Sequence, residues 1–113
     1  MTIDMMIEQK TINISGIKFF IEVNKKEIAR AYLYILFNDL HEKPFGFLED
    51  VFVDKDSRGK GIGKQIIKTA IKEAKKQGCY KLIATSRYSR KKVHEFYKGL
   101  RFKKHGVEFR IDF

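Results

Sequence analysis

Three glycines at alternate positions, Gly59, Gly61 and Gly63, are interleaved with Arg58, Lys60, Ile62 and Lys64 where a β-like pattern stops and a helical one begins. Upstream, Phe45 to Val53 reads as a strand. Downstream, apolar residues fall at 62, 66, 67, 70, 71 and 74, the spacing of a helix with one buried stripe. Gln77-Gly78 ends that helix with a glycine at or just past the cap, and Cys79 to Thr85 then reads as another strand. A strand, a helix of about four turns and a strand make a β-α-β unit, so the two strands should be parallel with a right-handed crossover. The glycine loop opens the helix of that unit. A helix start leaves its first N–H groups unpaired at its positive end, and glycines let an anion approach them closely. A phosphate-bearing ligand is the expected occupant.

Two glycine motifs are excluded by counting. A P-loop ending on Gly63-Lys64 would place its first glycine at Arg58 and its hydroxyl at Gln65. A dinucleotide fingerprint would need a third glycine at Lys64 or Ile66.

Charge agrees with an anionic partner. The chain carries a net +10, and residues 54–113 hold eighteen Lys/Arg against six Asp/Glu, whereas residues 1–53 hold six against eight. Such an excess draws polyanions, whether a coenzyme with several phosphates or a nucleic acid. At 113 residues, 43% hydrophobic and 34% charged, the expectation is one globular domain spanning residues 1–113. No apolar run is long enough to span a bilayer and no signal peptide is visible, so a cytoplasmic protein is expected. Cys79 is the lone cysteine, which excludes an intrachain disulfide and any multi-cysteine metal site; a buried, inert thiol is expected.

The rest of the chain is β-like before Pro44. Thr11 to Ile14, Ile17 to Val23 and Ile28 to Phe37 read as three antiparallel strands, with Ser15-Gly16 as a turn. In the fourth strand, period 2 puts Glu49, Val51 and Val53 on one face and Leu48, Asp50 and Phe52 on the other. Ser89 is a candidate N-cap for a second helix over Lys91 to Gly99, with an apolar stripe at Val93, Phe96, Tyr97 and Leu100. Arg101 to Phe113 returns to β, with Val107, Phe109, Ile111 and Phe113 on one side. Lys60, Lys64, Lys68, Lys72 and Lys76 recur on the outer side of the first helix as a largely solvated row.

Arg58-x-x-Gly61-x-Gly63 resembles the pyrophosphate loop of the GNAT family of N-acetyltransferases. Three further segments are similar to that family in order and spacing: Leu48 to Val53, Gly78 to Leu82, and Val93 to Phe102 with its "Phe-Tyr" and closing Phe. The likeness runs from about Phe45 to Phe113. Glu49-Asp50 and Gly78-Cys79-Tyr80-Lys81 look like glucosamine-6-phosphate N-acetyltransferases, whereas Arg90-x-x-Val93-His94-x-Phe96-Tyr97 looks more like aminoalkylphosphonate acetyltransferases. The family usually has one or two helices between its first two strands, and Ser15-Gly16 leaves no room for them; either the site is open or a second subunit supplies the wall. Asn is common in the family where Arg90 stands, and Ala where Val93 stands.

The resemblance implies an α/β fold of mixed α+β type, with a mixed central sheet of about six strands, an antiparallel meander followed by β-α-β-α-β. It implies an acetyl-CoA dependent acyltransferase that moves acetyl to a primary amine of a small molecule or protein, with no metal. The pantetheine arm would pair with the backbone of Val51, Phe52 and Val53 where strands four and five splay. The pyrophosphate would rest on Arg58, Gly59, Lys60, Gly61, Ile62, Gly63 and Lys64. Glu49 is the preferred general base, Asp50 the second choice, and Tyr97 the general acid for the departing thiolate. The alternatives are a non-catalytic acyl-CoA binder and a basic RNA-associated module. Nucleic acid is disfavoured because no strand shows the aromatic spacing of a single-strand platform. Exchange of the final strand across a homodimer is expected from its alternating edge.

Overall fold

The computed structural model describes residues 5–87 and 89–113. Its sheet has four strands in the order β1 (Ser15–Val23), β2 (Lys26–Leu36), β3 (Phe45–Val53) and β4 (Leu82–Ala84). The first three run antiparallel, and β4 lies parallel to β3 after the crossover helix α1 (Ile62–Lys76). A shorter helix, α2 (Lys91–Gly99), follows β4. The class is the one expected, a mixed sheet built around a β-α-β unit, but with four strands among the described residues instead of about six.

The differences lie at particular segments. Ser15-Gly16 is the start of β1, because β2 is long enough to pair with both: Ser15 faces Ile35 and Gly16 faces Tyr34, whose ring lies 3.2 Å from where a Gly16 Cβ would stand. The reversal comes instead at Asn24-Lys25, both left-handed (φ 52° and 65°), which matches the right-handed twist of the flanking strands. Thr11 to Ile14 forms no strand, so among the described residues two strands, not three, precede Pro44. The last strand of the β-α-β unit shrinks from Cys79–Thr85 to three residues, although Gly46 N–H still donates to the Lys81 carbonyl at 2.9 Å. Arg101 to Phe113 forms no strand in its own chain.

Helix α1 begins and ends as the pattern predicts. Its stripe of Ile66, Ile67, Ala70 and Ala74 is buried against Ala29, Ala31, Leu33 and Leu48 of the sheet. Alanines on both sides let helix and sheet approach closely, and Gly46 does the same in β3: a Cβ there would stand 2.8 Å from Leu82 Cδ1 and 3.2 Å from Leu33 Cδ1. Full burial of Ile67 alone contributes about 1.5–3 kcal/mol. At the C-terminus, Cys79 N–H bonds the Ala74 carbonyl and Gly78 N–H the Lys75 carbonyl, a Schellman closure around Gly78. Cys79 itself is half-buried rather than fully buried, and that burial raises its thiol pKa.

The opposite face of the sheet carries Lys18, Phe20, Arg30, Tyr32, Tyr34 and Glu49, by register. Lys18 and Arg30 both pair with Glu27, and the Arg30 guanidinium lies 4.6 Å from the Phe52 ring centre. Residues 5–16 and 103–113 are exposed, and with a radius of gyration of 17.6 Å the molecule is more extended than the roughly 13 Å of a compact domain this long.

Candidate active site

The site begins with an interruption in β3. Tyr32 pairs with Glu49 and Arg30 with Phe52, so Asp50 and Val51 together oppose Ala31. This is a β-bulge, and Asp50 takes the left-handed conformation (φ 49°) that such bulges often give to glycine. The extra residue resets the alternation. Val51 and Val53 turn to the α1 face with Leu48, while Glu49 lies on the opposite face across from Tyr32. Glu49 therefore does not share a face with Val51 and Val53, as strict period 2 predicts; the bulge separates them.

Just before the bulge the sheet forks. β3 and β4 pair only at Gly46–Leu82, Phe47–Ile83 and Leu48–Ala84. Beyond Leu48 the two strands part, as the expected splay requires. A cleft of about 910 Å³ opens there, lined by Val51, Phe52, Val53, Arg58, Ser89, Arg90, Lys91, Lys92 and Val93. Arg58 leans across its floor, its Nε donating to the Val53 carbonyl at 3.0 Å.

The glycine loop lies at one end of this cleft. Gly59 (φ 79°) and Gly61 (φ 77°) are left-handed, with nothing within 4 Å of where their Cβ atoms would be, so backbone conformation, not crowding, demands glycine there. Gly61 caps α1 without a side-chain hydrogen bond, and the first turn carries no acidic residue. The first bond within the helix is Gln65 N–H to the Gly61 carbonyl, leaving the N–H groups of Ile62, Gly63 and Lys64 as the open helix start. Uncapped donors, open space in front of two glycines, and the side chains of Arg58, Lys60 and Lys64 fit a diphosphate. Gly63 is different, since a Cβ there would make only ordinary contacts, 3.4 Å to Val53 and 3.9 Å to Phe96.

Helix α2 closes the fork. Its N-cap is Arg90, whose carbonyl accepts from His94 N–H, and Ser89 makes no capping bond. At its other end Phe102 N–H bonds the Tyr97 carbonyl and Arg101 N–H the Lys98 carbonyl, with Arg101 left-handed (φ 72°). This closure folds Phe102 back onto the Tyr97 ring, 5.2 Å between centres and edge-on. Tyr97 is thereby fixed in the core cluster with Leu100 and Phe102. Burial, and secondarily the charge of Glu49, raises the Tyr97 pKa, so the phenol stays protonated at neutral pH. Burial also raises the Glu49 pKa, helped by the carboxylates of Asp50 and Glu108. Glu49 and Tyr97 thus lie within electrostatic reach of each other.

Residues 5–102 match the sequence profile of the acetyltransferase (GNAT) family. The chain belongs to the GNAT acetyltransferase family. Within 67 residues, 59% of this GNAT chain, it is 39% identical to the glucosamine 6-phosphate N-acetyltransferase of Trypanosoma brucei brucei, and it spans 44% of that protein's length. Among solved structures, an acetyltransferase of Trypanosoma brucei superposes with a TM-score of 0.77 at 31% identity, covering 88% of this chain and 69% of the other. The glucosamine-6-phosphate N-acetyltransferase of Arabidopsis thaliana superposes with a TM-score of 0.78 at 27% identity, covering 87% and 67%.

Some features of this site are invisible in a linear reading of the family pattern. Tyr32 meets Glu49 only through long-range strand register. Lys91 and Lys92 reach the cleft because α2 starts beside the fork; the basic run from Arg90 at a helix start was the available signal.

Proposed function

We propose that this chain is an acetyl-CoA dependent N-acetyltransferase that transfers acetyl directly to a primary amine within a ternary complex. The observation that supports this reading is the cleft at the β3–β4 fork, lined by Val51 to Val53 and Arg58, beside an uncapped helix start whose Gly63 stands against Val53, with Glu49 and Tyr97 near enough to each other to interact electrostatically. The loop from Arg58 to Lys64 holds the pyrophosphate through backbone N–H groups, with Lys60 and Lys64 adding charge. The unpaired edge of β3 past Leu48 holds the pantetheine arm beside Val51 to Val53. Glu49 takes a proton from the acceptor ammonium, directly or through water, with Asp50 as the second candidate. The amine nitrogen attacks the thioester carbonyl; the C–N bond forms, the C–S bond breaks, and Tyr97 protonates the leaving sulfur. Holding both reactants in line supplies much of the acceleration.

The relatives named for glucosamine 6-phosphate make an aminosugar phosphate the first acceptor to test. The decisive assay follows thiol release from acetyl-CoA against aminosugars with and without phosphate, aminoalkylphosphonates, polyamines and basic peptides. Release with at least one amine supports the reading; tight coenzyme binding with no release from any amine would leave a non-catalytic acyl-CoA binder.

The working unit in this reading is a homodimer in the cytosol, whose reducing conditions suit the free thiol of Cys79. Support for the dimer lies in the C-terminal segment: Val107, Phe109, Ile111 and Phe113 alternate and are 67%, 93%, 79% and 117% exposed. Four such side chains in water favour strand addition to a second copy, which adds backbone bonds and buries one face. Replacing Phe109 and Ile111 together by Asp should convert a dimer to a monomer in sedimentation or sizing measurements. A wild-type chain that is already monomeric at micromolar concentration would rule this assembly out.

A further inference from the structure

The lysines of α1 run well past any role in holding a coenzyme pyrophosphate. Lys68, Lys72 and Lys76 continue from Lys60 and Lys64 in steps of about 6 Å along the helix, so the row ends roughly 18 Å beyond Lys64. Among the described residues none of these lysines forms an ion pair, and the only acid of α1, Glu73, is engaged by Gln77 Nε2 at 3.1 Å. A shallow groove of about 490 Å³ follows the row, lined by Gly61, Lys64, Gln65, Lys68, Thr69 and Lys72. It starts at Gly61, the residue that caps the helix at the anion cradle. The row therefore starts at the anion cradle and runs from it along the outer side of α1.

We infer that this surface docks an acidic carrier protein that presents acetyl on a phosphopantetheine arm, as an acyl donor alternative to the coenzyme. The inference rests on the reading that the cleft receives an acylated pantetheine. A carrier's arm ends in the same thioester as the coenzyme, with its phosphate where the cradle binds phosphate. The protein attached to that phosphate would stand over the start of the groove. Its carboxylates would then lie along Lys68, Lys72 and Lys76, which the coenzyme leaves unused. Flexible ammonium groups in single file suit the transient pairing of carboxylates, where charge raises the association rate more than it deepens affinity. Nucleic acid fits less well: the outer side of α1 offers Lys, Gln, Thr and Glu, with no aromatic ring or arginine to stack on bases. The chemistry balances as it does with the coenzyme. The acceptor nitrogen forms the amide bond, the carrier's C–S bond breaks, the amine proton leaves through Glu49, and the carrier departs as its free thiol.

The test compares acetyl-CoA with an acetyl-loaded acidic carrier protein as donors, using the best amine from the thiol-release assay, in the wild-type chain and in the double variant Lys68→Glu/Lys72→Glu. Expected is transfer from both donors by the wild-type chain, with a kcat/KM for the carrier that falls steeply with salt. The double variant should lose about tenfold or more in kcat/KM for the carrier and stay within about threefold for acetyl-CoA. Acetyl-CoA turnover with no transfer from the carrier would overturn the inference while leaving the proposed function intact. Equal loss with both donors, or a carrier rate untouched by the charge reversal, would also overturn it. Loss of binding to a single-stranded oligonucleotide, with the carrier rate unchanged, would assign the row to nucleic acid instead. No turnover of either donor with any amine would overturn both readings.

Discussion

Glu49→Gln should lower kcat by about two to three orders of magnitude, within the usual range for a general base, and leave coenzyme affinity nearly unchanged. In the wild-type chain, activity should rise with pH through the Glu49 carboxyl, which must lose its proton to accept one from the acceptor. Because burial and the carboxylates of Asp50 and Glu108 raise that pKa, the acidic limb should lie above the range of an ordinary glutamate. Glu108→Gln and Asp50→Asn each remove one raising charge, so each should shift the limb to lower pH; Glu49→Gln should abolish it. Stability should move in the other direction from activity. A carboxyl whose folded-state pKa is raised favours the fold below its ordinary pKa, and that contribution is lost as pH rises through the folded value. The Gln variant carries no such loss, so at neutral pH it should melt at or above the wild-type temperature. An unchanged kcat, or an acidic limb that survives Glu49→Gln, would pass the base role to Asp50 or to water.

Tyr97→Phe should lower kcat by about one to two orders of magnitude. The variant keeps the ring that packs on Phe102 and Phe96, so the fold and the α2 closure should hold, and only the proton donor is lost. The raised phenol pKa predicts no basic limb from Tyr97 near neutrality in the wild-type chain. Presteady-state measurement locates the defect: the acetyl-transfer step should slow, while coenzyme association and release stay unaltered. A turnover equal to wild type would remove Tyr97 from the mechanism and leave it as a core aromatic.

Features carried by local pattern were legible in the sequence. The stripe at 66, 67, 70 and 74, the glycines at 59, 61 and 78, and the second helix over 91–99 are each set by residues within a turn or two of one another. The parallel pairing of the strands around α1 followed from the length of the crossover. What escaped depends on contacts distant in sequence. Ser15-Gly16 resembles a turn until β2 supplies eleven residues to pair with it. Period 2 fails at Asp50 because a bulge is set by register against β2, and nothing in Leu48 to Val53 marks which residue will be extra. The segment from Arg101 to Phe113 has the alternation of a strand, but alternation does not say which sheet, or which subunit, will receive it.

The central claim, that the cleft from Val51 to Val53 and the loop from Arg58 to Lys64 form one coenzyme site, is tested most directly by titrating the isotope-labelled chain with coenzyme A and following its backbone amide resonances. Saturable shifts should concentrate at Gly59 to Lys64, with the N–H groups of Ile62, Gly63 and Lys64 moving downfield as they donate to phosphate, and at Val51 to Val53. Lys68 to Lys76 should move little, since the coenzyme ends short of them. Shifts confined to other surfaces, or none at coenzyme concentrations of about a millimolar, would contradict the assignment of this cleft.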